Sequence, residues 1–383
     1  VAAAERRVEA LDVLRGIAIL GSLATNIWLF GNPEGPSRGP ASPPYDSLAH
    51  SVEAFLGFLA NGKFISLLTI LFGVGLEIQY RSAVRRGAAW PGRYLWRATL
   101  LFVEGLVHYL LIFEFDVLMG YAVASVVVAF LVGRSTRVIN GWMYGTGCLH
   151  LVLAAGIALT ATGQGNIAVS RPGLFADGTW WEQVLSRIDL WFVYRAESIF
   201  MIPMAISLFL AGVRIWRAGV FTDDERGGVL RRRMMILGLG LGLPLNFAMT
   251  LVQDNSAVSR YVFAPMVAAG ILALAVTVVL RLPGRHGVLR RGLTAVGKTA
   301  LTGYILQNLL GSALAYGWGL GLAVTLAGYR PWWVIAAWFV LSAVLTVFAV
   351  VWLRHFSRGP VELFWTWAQN APRRKDAATT MGT

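Results

Sequence analysis

Stretches of about 20 mainly apolar residues recur from one end of this chain to the other, and this recurrence restricts the fold more than any motif does. A helix of that length crosses a hydrocarbon core about 30 Å thick, so each stretch reads as a membrane span. Ten are expected, at 12–30, 51–80, 98–113, 117–133, 138–160, 198–213, 234–252, 259–280, 295–320 and 332–353. The fold class that follows is all-α: a polytopic transmembrane bundle of about ten helices over residues 1–353, then a cytoplasmic C-terminal tail at 354–383. Composition leaves nothing over for a soluble domain, since 56% of the 383 residues are hydrophobic and only 14% charged.

A net charge of +13 would point to nucleic acid in a soluble protein, but its distribution points elsewhere. The basic residues cluster between apolar stretches, at Arg81-Arg85-Arg86-Arg93-Arg97, Arg231-Arg232-Arg233, Arg281-Arg285-Arg290-Arg291 and Arg373-Arg374-Lys375. All four clusters fall on one side if ten spans alternate, which is the positive-inside pattern and predicts both termini in the cytoplasm. No nucleic-acid partner is expected, because no basic segment is interleaved with stacking aromatics. Two segments on the opposite side are long: the proline-rich 31–50, read as a stiff loop, and 161–197, where Thr179 can cap a helix with Glu182 at its third position. The single cysteine, Cys148, lies in an apolar span and reads as packing.

Ionisable residues are costly inside a bilayer, so those within spans are candidates for function. In the third span Arg97, Glu104 and His108 stand at i, i+7 and i+11, within about 40° of one helix face. Glu104 and His108 are also an i,i+4 pair, in which the carboxylate would hold the imidazole in one tautomer. One reading makes His108 a general base oriented by Glu104, with Arg97 about 16 Å away for an anionic ligand; the other makes them an intrahelical pair that eases burial. The first span repeats the layout with Arg15, Ser22 and Asn26, and Asp12 precedes Arg15 by one turn. The Asn26 amide either supports a developing oxyanion or bonds a neighbouring helix. Glu114 and Asp116, at the mouth of the third span, fit capping or loop closure. Lys63, Lys298 and the Gln307-Asn308 pair are further polar points that should face the interior. No Cys/His metal spacing, Walker loop or GxSxG elbow occurs, so neither a metal site nor ATP-driven chemistry is expected.

The segment from Leu11 to Gly21, LDVLRGIAILG, followed by Asn26, resembles the first helix of the YeiB-type family, bacterial proteins carrying domain of unknown function 418. Four more matches follow in order: Lys63-Phe64 with Leu71 to Leu76, Gly105 to His108 with Asp116 to Tyr121, Val296 to Gln307, and Arg358 to Glu362. The family is similar to the transmembrane acyltransferases, which include heparan-α-glucosaminide N-acetyltransferase and the acyltransferase-3 enzymes. Their shared first-helix element is an Arg followed eleven positions later by a polar residue, met here by Arg15 and Asn26. In acyltransferase-3 enzymes that second residue is His, so the resemblance moves the base to His108.

The resemblance implies a multi-pass protein of the bacterial cytoplasmic membrane that takes an acyl group, acetyl first, from cytoplasmic acyl-CoA to a hydroxyl or amine on an extracytoplasmic glycan or lipid acceptor. His108, Asn26 and Glu104 would be catalytic. Arg15, Arg93, Arg97, Lys298, Lys63 and Gln307 would hold the CoA, the arginines through the guanidinium forks that bind phosphate well. Membrane lipid and a second copy, as a homodimer, are the other expected partners. The rival class is a transporter or flippase whose polar stripes line a path for an anionic or lipid substrate.

Overall fold

The computed structural model describes residues 2–36, 47–161, 173–251, 258–282 and 287–380, and these are mainly helical with no strand among them. The first apolar stretch is one helix, α1 (Ala2–Phe30). The second, expected as a single span, is two: α2 (Leu48–Ala60) and α3 (Lys63–Arg85). The break has a local cause. Gly62 takes left-handed backbone (φ 74°), and Lys63 turns back so that its ammonium donates to the Phe58 carbonyl that the break strips of its helical partner.

Next come α4 (Arg93–Leu111), α5 (Leu118–Leu131) and α6 (Thr136–Ala161). The pair α7 (Trp180–Asp189) and α8 (Trp191–Phe200) opens with the reciprocal capping box read from Thr179 and Glu182. Then α9 (Ile202–Ala218) ends on left-handed Gly219. Capped by Asp224, α10 (Glu225–Met235) runs through a π-helical stretch at Ile236–Gly242 into α11 (Leu243–Leu251); a second π turn, Ser259–Phe263, opens α12 (Ala264–Arg281). The expected span 295–320 is also broken, at Thr299, into α13 (Val288–Lys298) and α14 (Ala300–Ala315). A short α15 (Leu322–Thr325) and a 3-10 turn lead to α16 (Trp332–Trp352) and α17 (Pro360–Thr380).

Six helical stretches among the described residues are long and apolar enough to cross a membrane: Arg6–Phe30, Leu48–Arg85, Trp191–Ala218, Glu225–Leu251, Ser259–Arg281 and Trp332–Trp352. Val152 of α6 and Phe339 of α16 are more than half exposed, while Glu77, Asp116, Gln307 and Asn308 are fully buried. Apolar side chains thus face out and polar ones face in, as in a bundle whose solvent is lipid.

Helix α1 packs against α3, α13, α14 and α16. Its closest approach needs glycine on both partners: a Cβ on Gly297 would stand 1.7 Å from the Asp12 carbonyl, and one on Gly16 2.1 Å from the Leu293 carbonyl. Gly105 does the same for α4, where a Cβ would stand 2.7 Å from the Met119 amide at the start of α5. Within the stretch expected as a tail, Glu362 reaches back to the bundle. Glu362 of α17 accepts from the Leu301 and Thr302 amides at 2.8 and 3.3 Å and from the Thr302 hydroxyl at 2.6 Å, so it caps α14 just past the Thr299 break.

Candidate functional site

Three helices and the turn between α4 and α5 bring one polar chain together in the interior. Asn26 of α1 donates through Nδ2 to Asn308 Oδ1 of α14 at 2.8 Å. The Asn308 amide nitrogen lies 3.1 Å from His108 Nε2 on α4. Nδ1 of the same ring lies 3.1 Å from Asp116 Oδ1, off the line of an ideal hydrogen bond. Asp116 sits between α4 and α5, and its other oxygen accepts from the Leu118 and Met119 amides at 2.8 and 3.4 Å. An ionised carboxylate can only accept, so it sets the direction of the chain: the imidazole proton belongs on Nδ1, Nε2 accepts from Asn308, and Asn308 must then receive from Asn26. Tyr304, one turn before Asn308, donates to Asp116 Oδ1 at 3.3 Å, and its ring centre lies 5.1 Å from that of His108.

The loop carrying Asp116 is pinned from α7 and α8. Arg195 donates to the Asp116 carbonyl at 2.9 Å and to the Glu114 carbonyl, Ser198 donates to the Asp116 carbonyl at 2.9 Å, and Arg187 pairs with Glu114 at 3.3 Å. A charge-assisted hydrogen bond into buried backbone is strong, so the carboxylate is held in place as well as paired.

Two cavities meet beside this centre, at Leu68 and Tyr304. The larger, about 670 Å³, is lined by Arg15, Arg97, Lys298 and Arg358 against only two carboxylates, Asp12 and Glu362. Asp12 lies 3.2 Å from Arg15, and Glu362 is committed to capping α14. Arg97 is held by the neutral amide of Gln79 at 2.5 Å and Arg358 by the Thr366 hydroxyl at 2.7 Å, so this basic chamber carries uncompensated positive charge. The smaller chamber, about 230 Å³, is lined by Ser22, Thr25 and Asn26, by Phe113 and Phe115, and by Glu197 and Arg260, which neutralise each other at 2.9 Å. The larger volume falls within the roughly 300–1,000 Å³ of small-molecule sites, and the smaller falls just below it.

Of the residues singled out from the sequence, Arg15, Arg97 and Lys298 come together around the basic chamber, and Asn26 and His108 join the polar chain. Glu104 does not orient His108. Its carboxylate accepts from Trp365 Nε1 of α17, and Asp116 occupies the position expected for it beside the imidazole. An i,i+4 spacing makes contact available, and here a donor on another helix and a carboxylate at the α4–α5 turn draw the two side chains apart. Arg93 is exposed at the start of α4 and lines neither chamber. Lys63 is buried against Phe58 at the α2–α3 break, and Gln307 donates to Ser22 at 2.9 Å; neither lines the basic chamber. Asp116, Tyr304, Asn308 and Arg358 belong to the site although the helix stripes did not select them. For Asp116 a signal was present, since an Asp two residues before an apolar helix and eight after a histidine flanks a tight turn.

These features define a helical membrane protein with a buried His–Asp centre beside the Tyr304 boundary of two chambers of different charge. The sequence model of the family described as "Protein of unknown function (DUF418)" matches residues 215–371. The chain is 29% identical over 397 residues to the uncharacterized protein YeiB of Escherichia coli (strain K12), covering 95% of this chain and 96% of that one. It is 26% identical over 388 residues to the uncharacterized protein YxaH of Bacillus subtilis (strain 168), covering 94% and 93%. The chain belongs to this YeiB-type, DUF418 family. No solved structure matches it significantly.

Proposed function

We propose that this protein is a ten-span, N-in/C-in acyltransferase of the bacterial cytoplasmic membrane, taking an acyl group from acyl-CoA in the basic chamber to a hydroxyl or amine acceptor in the small chamber. The observation that carries this reading is the meeting of the two chambers at Tyr304, whose ring centre lies 5.1 Å from that of the buried His108. A chamber with four cations against two committed carboxylates suits a polyanion such as the phosphates of CoA, and a self-neutralised chamber suits an uncharged acceptor group. The acyltransferase resemblance at Arg15 and Asn26 points the same way.

The chemistry runs through His108. The acceptor displaces the Asn308 amide from Nε2, and Nε2 takes its proton while the acceptor oxygen or nitrogen attacks the thioester carbonyl. Asp116 stabilises the imidazolium through Nδ1. The released Asn308 amide, with Asn26 behind it, can donate to the tetrahedral oxyanion. Collapse breaks the C–S bond, and the CoA thiolate receives the proton from His108. His108→Ala should lower acetyl transfer by about 10²–10⁴-fold while leaving CoA affinity within about twofold, measured by turnover and by titration calorimetry. Parental turnover in the purified variant would end this reading.

The rival reading is transport, which the same pair of chambers on either side of a buried barrier also supports. Absence of CoA binding together with flux of an anionic substrate into vesicles would favour it.

A further inference from the structure

The linings of the two chambers share only Leu68 and Tyr304. Every helix that borders both crosses at one level. On α1, Ile19 faces the basic chamber and Ser22 the small one; on α3, Leu71 and Ile65 divide likewise on either side of Leu68; at the start of α5, Leu118 and Val117 do so. The boundary is thus one side chain thick. Its two members differ in kind. Leu68 is held by packing alone, whereas Tyr304 is fixed by its hydroxyl to Asp116 Oδ1, the same oxygen that faces His108.

We infer that Tyr304 is the partition between the two chambers, and that it determines specificity by keeping water on the acceptor side from reaching a thioester held on the basic side. The second half of this rests on the acyl-transfer reading; the partition itself does not. The phenol and the imidazole compete for one carboxylate oxygen. A protonated His108 makes a charge-assisted bond to Asp116 and weakens the claim of the neutral phenol, so the tether loosens only while a proton is held on the ring. The partition is therefore tied to the proton transfer itself. With the ring in place, an acceptor that can displace Asn308 reaches the thioester, and bulk water is excluded.

Side-specific labelling tests this without any assumption about the reaction. Gly75 lines the basic chamber, and a Cβ there meets only Arg15 Nη2 at 4.0 Å, so Gly75→Cys fits. The background is Cys148→Ala, because Cys148 is an exposed thiol. In oriented vesicles, 2-sulfonatoethyl methanethiosulfonate added on the small-chamber side should modify Gly75→Cys on the order of tenfold faster when combined with Tyr304→Ala, and within about twofold of the parent when combined with Tyr304→Phe, which keeps the ring. Addition from the basic side should label all three alike, which also reports folding. Unchanged small-chamber labelling in Tyr304→Ala, with normal labelling from the basic side, overturns the partition. Should Tyr304→Ala fail to fold, Leu68→Ala decides by the same criterion, since it opens the boundary from α3 and leaves Asp116 untouched. The companion measurement is acetyl-CoA hydrolysis without acceptor, which should rise relative to transfer in Tyr304→Ala. If no variant or parent turns over acetyl-CoA, the acyl-transfer reading falls while the labelling still decides the partition.

Discussion

The two chambers are built by overlapping sets of helices and share two residues, yet their electrostatics are opposite in design. The small chamber closes its own charge, with Arg260 on Glu197 and hydroxyls turned onto carbonyls, as Thr25 is onto Ala60 at 3.0 Å. In the basic chamber Arg97 and Arg358 lean on neutral groups. Like charges gathered without carboxylate partners repel one another, which is why the proposed ligand of this chamber is an anion. Charge balance, more than volume, distinguishes the two chambers.

The strongest attack on this contrast is at the boundary. Asp116→Asn keeps the shape but removes the group that sets the imidazole tautomer, and it should lower transfer by about 10²–10³-fold with CoA affinity unchanged, as separate turnover and calorimetric measurements would show. Within the basic chamber, Arg97→Ala should weaken CoA binding by about 10–150-fold, the equivalent of one charge-assisted hydrogen bond of roughly 1.5–3 kcal/mol. Equal affinity in variant and parent would remove Arg97 from the site. Glu197→Gln, in the small chamber, should change CoA affinity by less than about twofold, since its partner Arg260 faces the other side of the boundary. The smallest effect is expected for Glu104→Gln, whose pH–rate profile should superimpose on the parental one because Trp365, and not His108, is its partner. A displaced profile would restore Glu104 as the imidazole's neighbour.

Much of the fold was legible because apolar run length is a local property: the stretches read as 117–133 and 332–353 are the helices Leu118–Leu131 and Trp332–Trp352 within two residues at each end. The breaks at Gly62 and Thr299 were hidden inside long apolar runs, since hydropathy counts side chains and is blind to a left-handed glycine or to a cap supplied from 60 positions away. The site divides the same way. Arg15, Asn26, Arg97 and His108 show themselves as one-helix stripes. The link from Asn308 to His108 spans 200 positions and is written in no periodicity, and the plausible Glu104–His108 pair was local and misleading for that reason.

The cap on α14 has a consequence in time. Tyr304 and Asn308 stand on a helix whose first turn is held by Glu362, and Glu104 is satisfied by Trp365, both from α17. A ribosome making this chain inserts His108 and Asp116 early, at a stage when nothing yet satisfies the start of α14 or the Glu104 carboxyl. The centre is finished only when the stretch from Pro360 onward has emerged and folded back. A nascent or truncated chain that stops before it would sit in the membrane with His108 already beside Asp116 but with the first turn of α14 uncapped and Glu104 without Trp365.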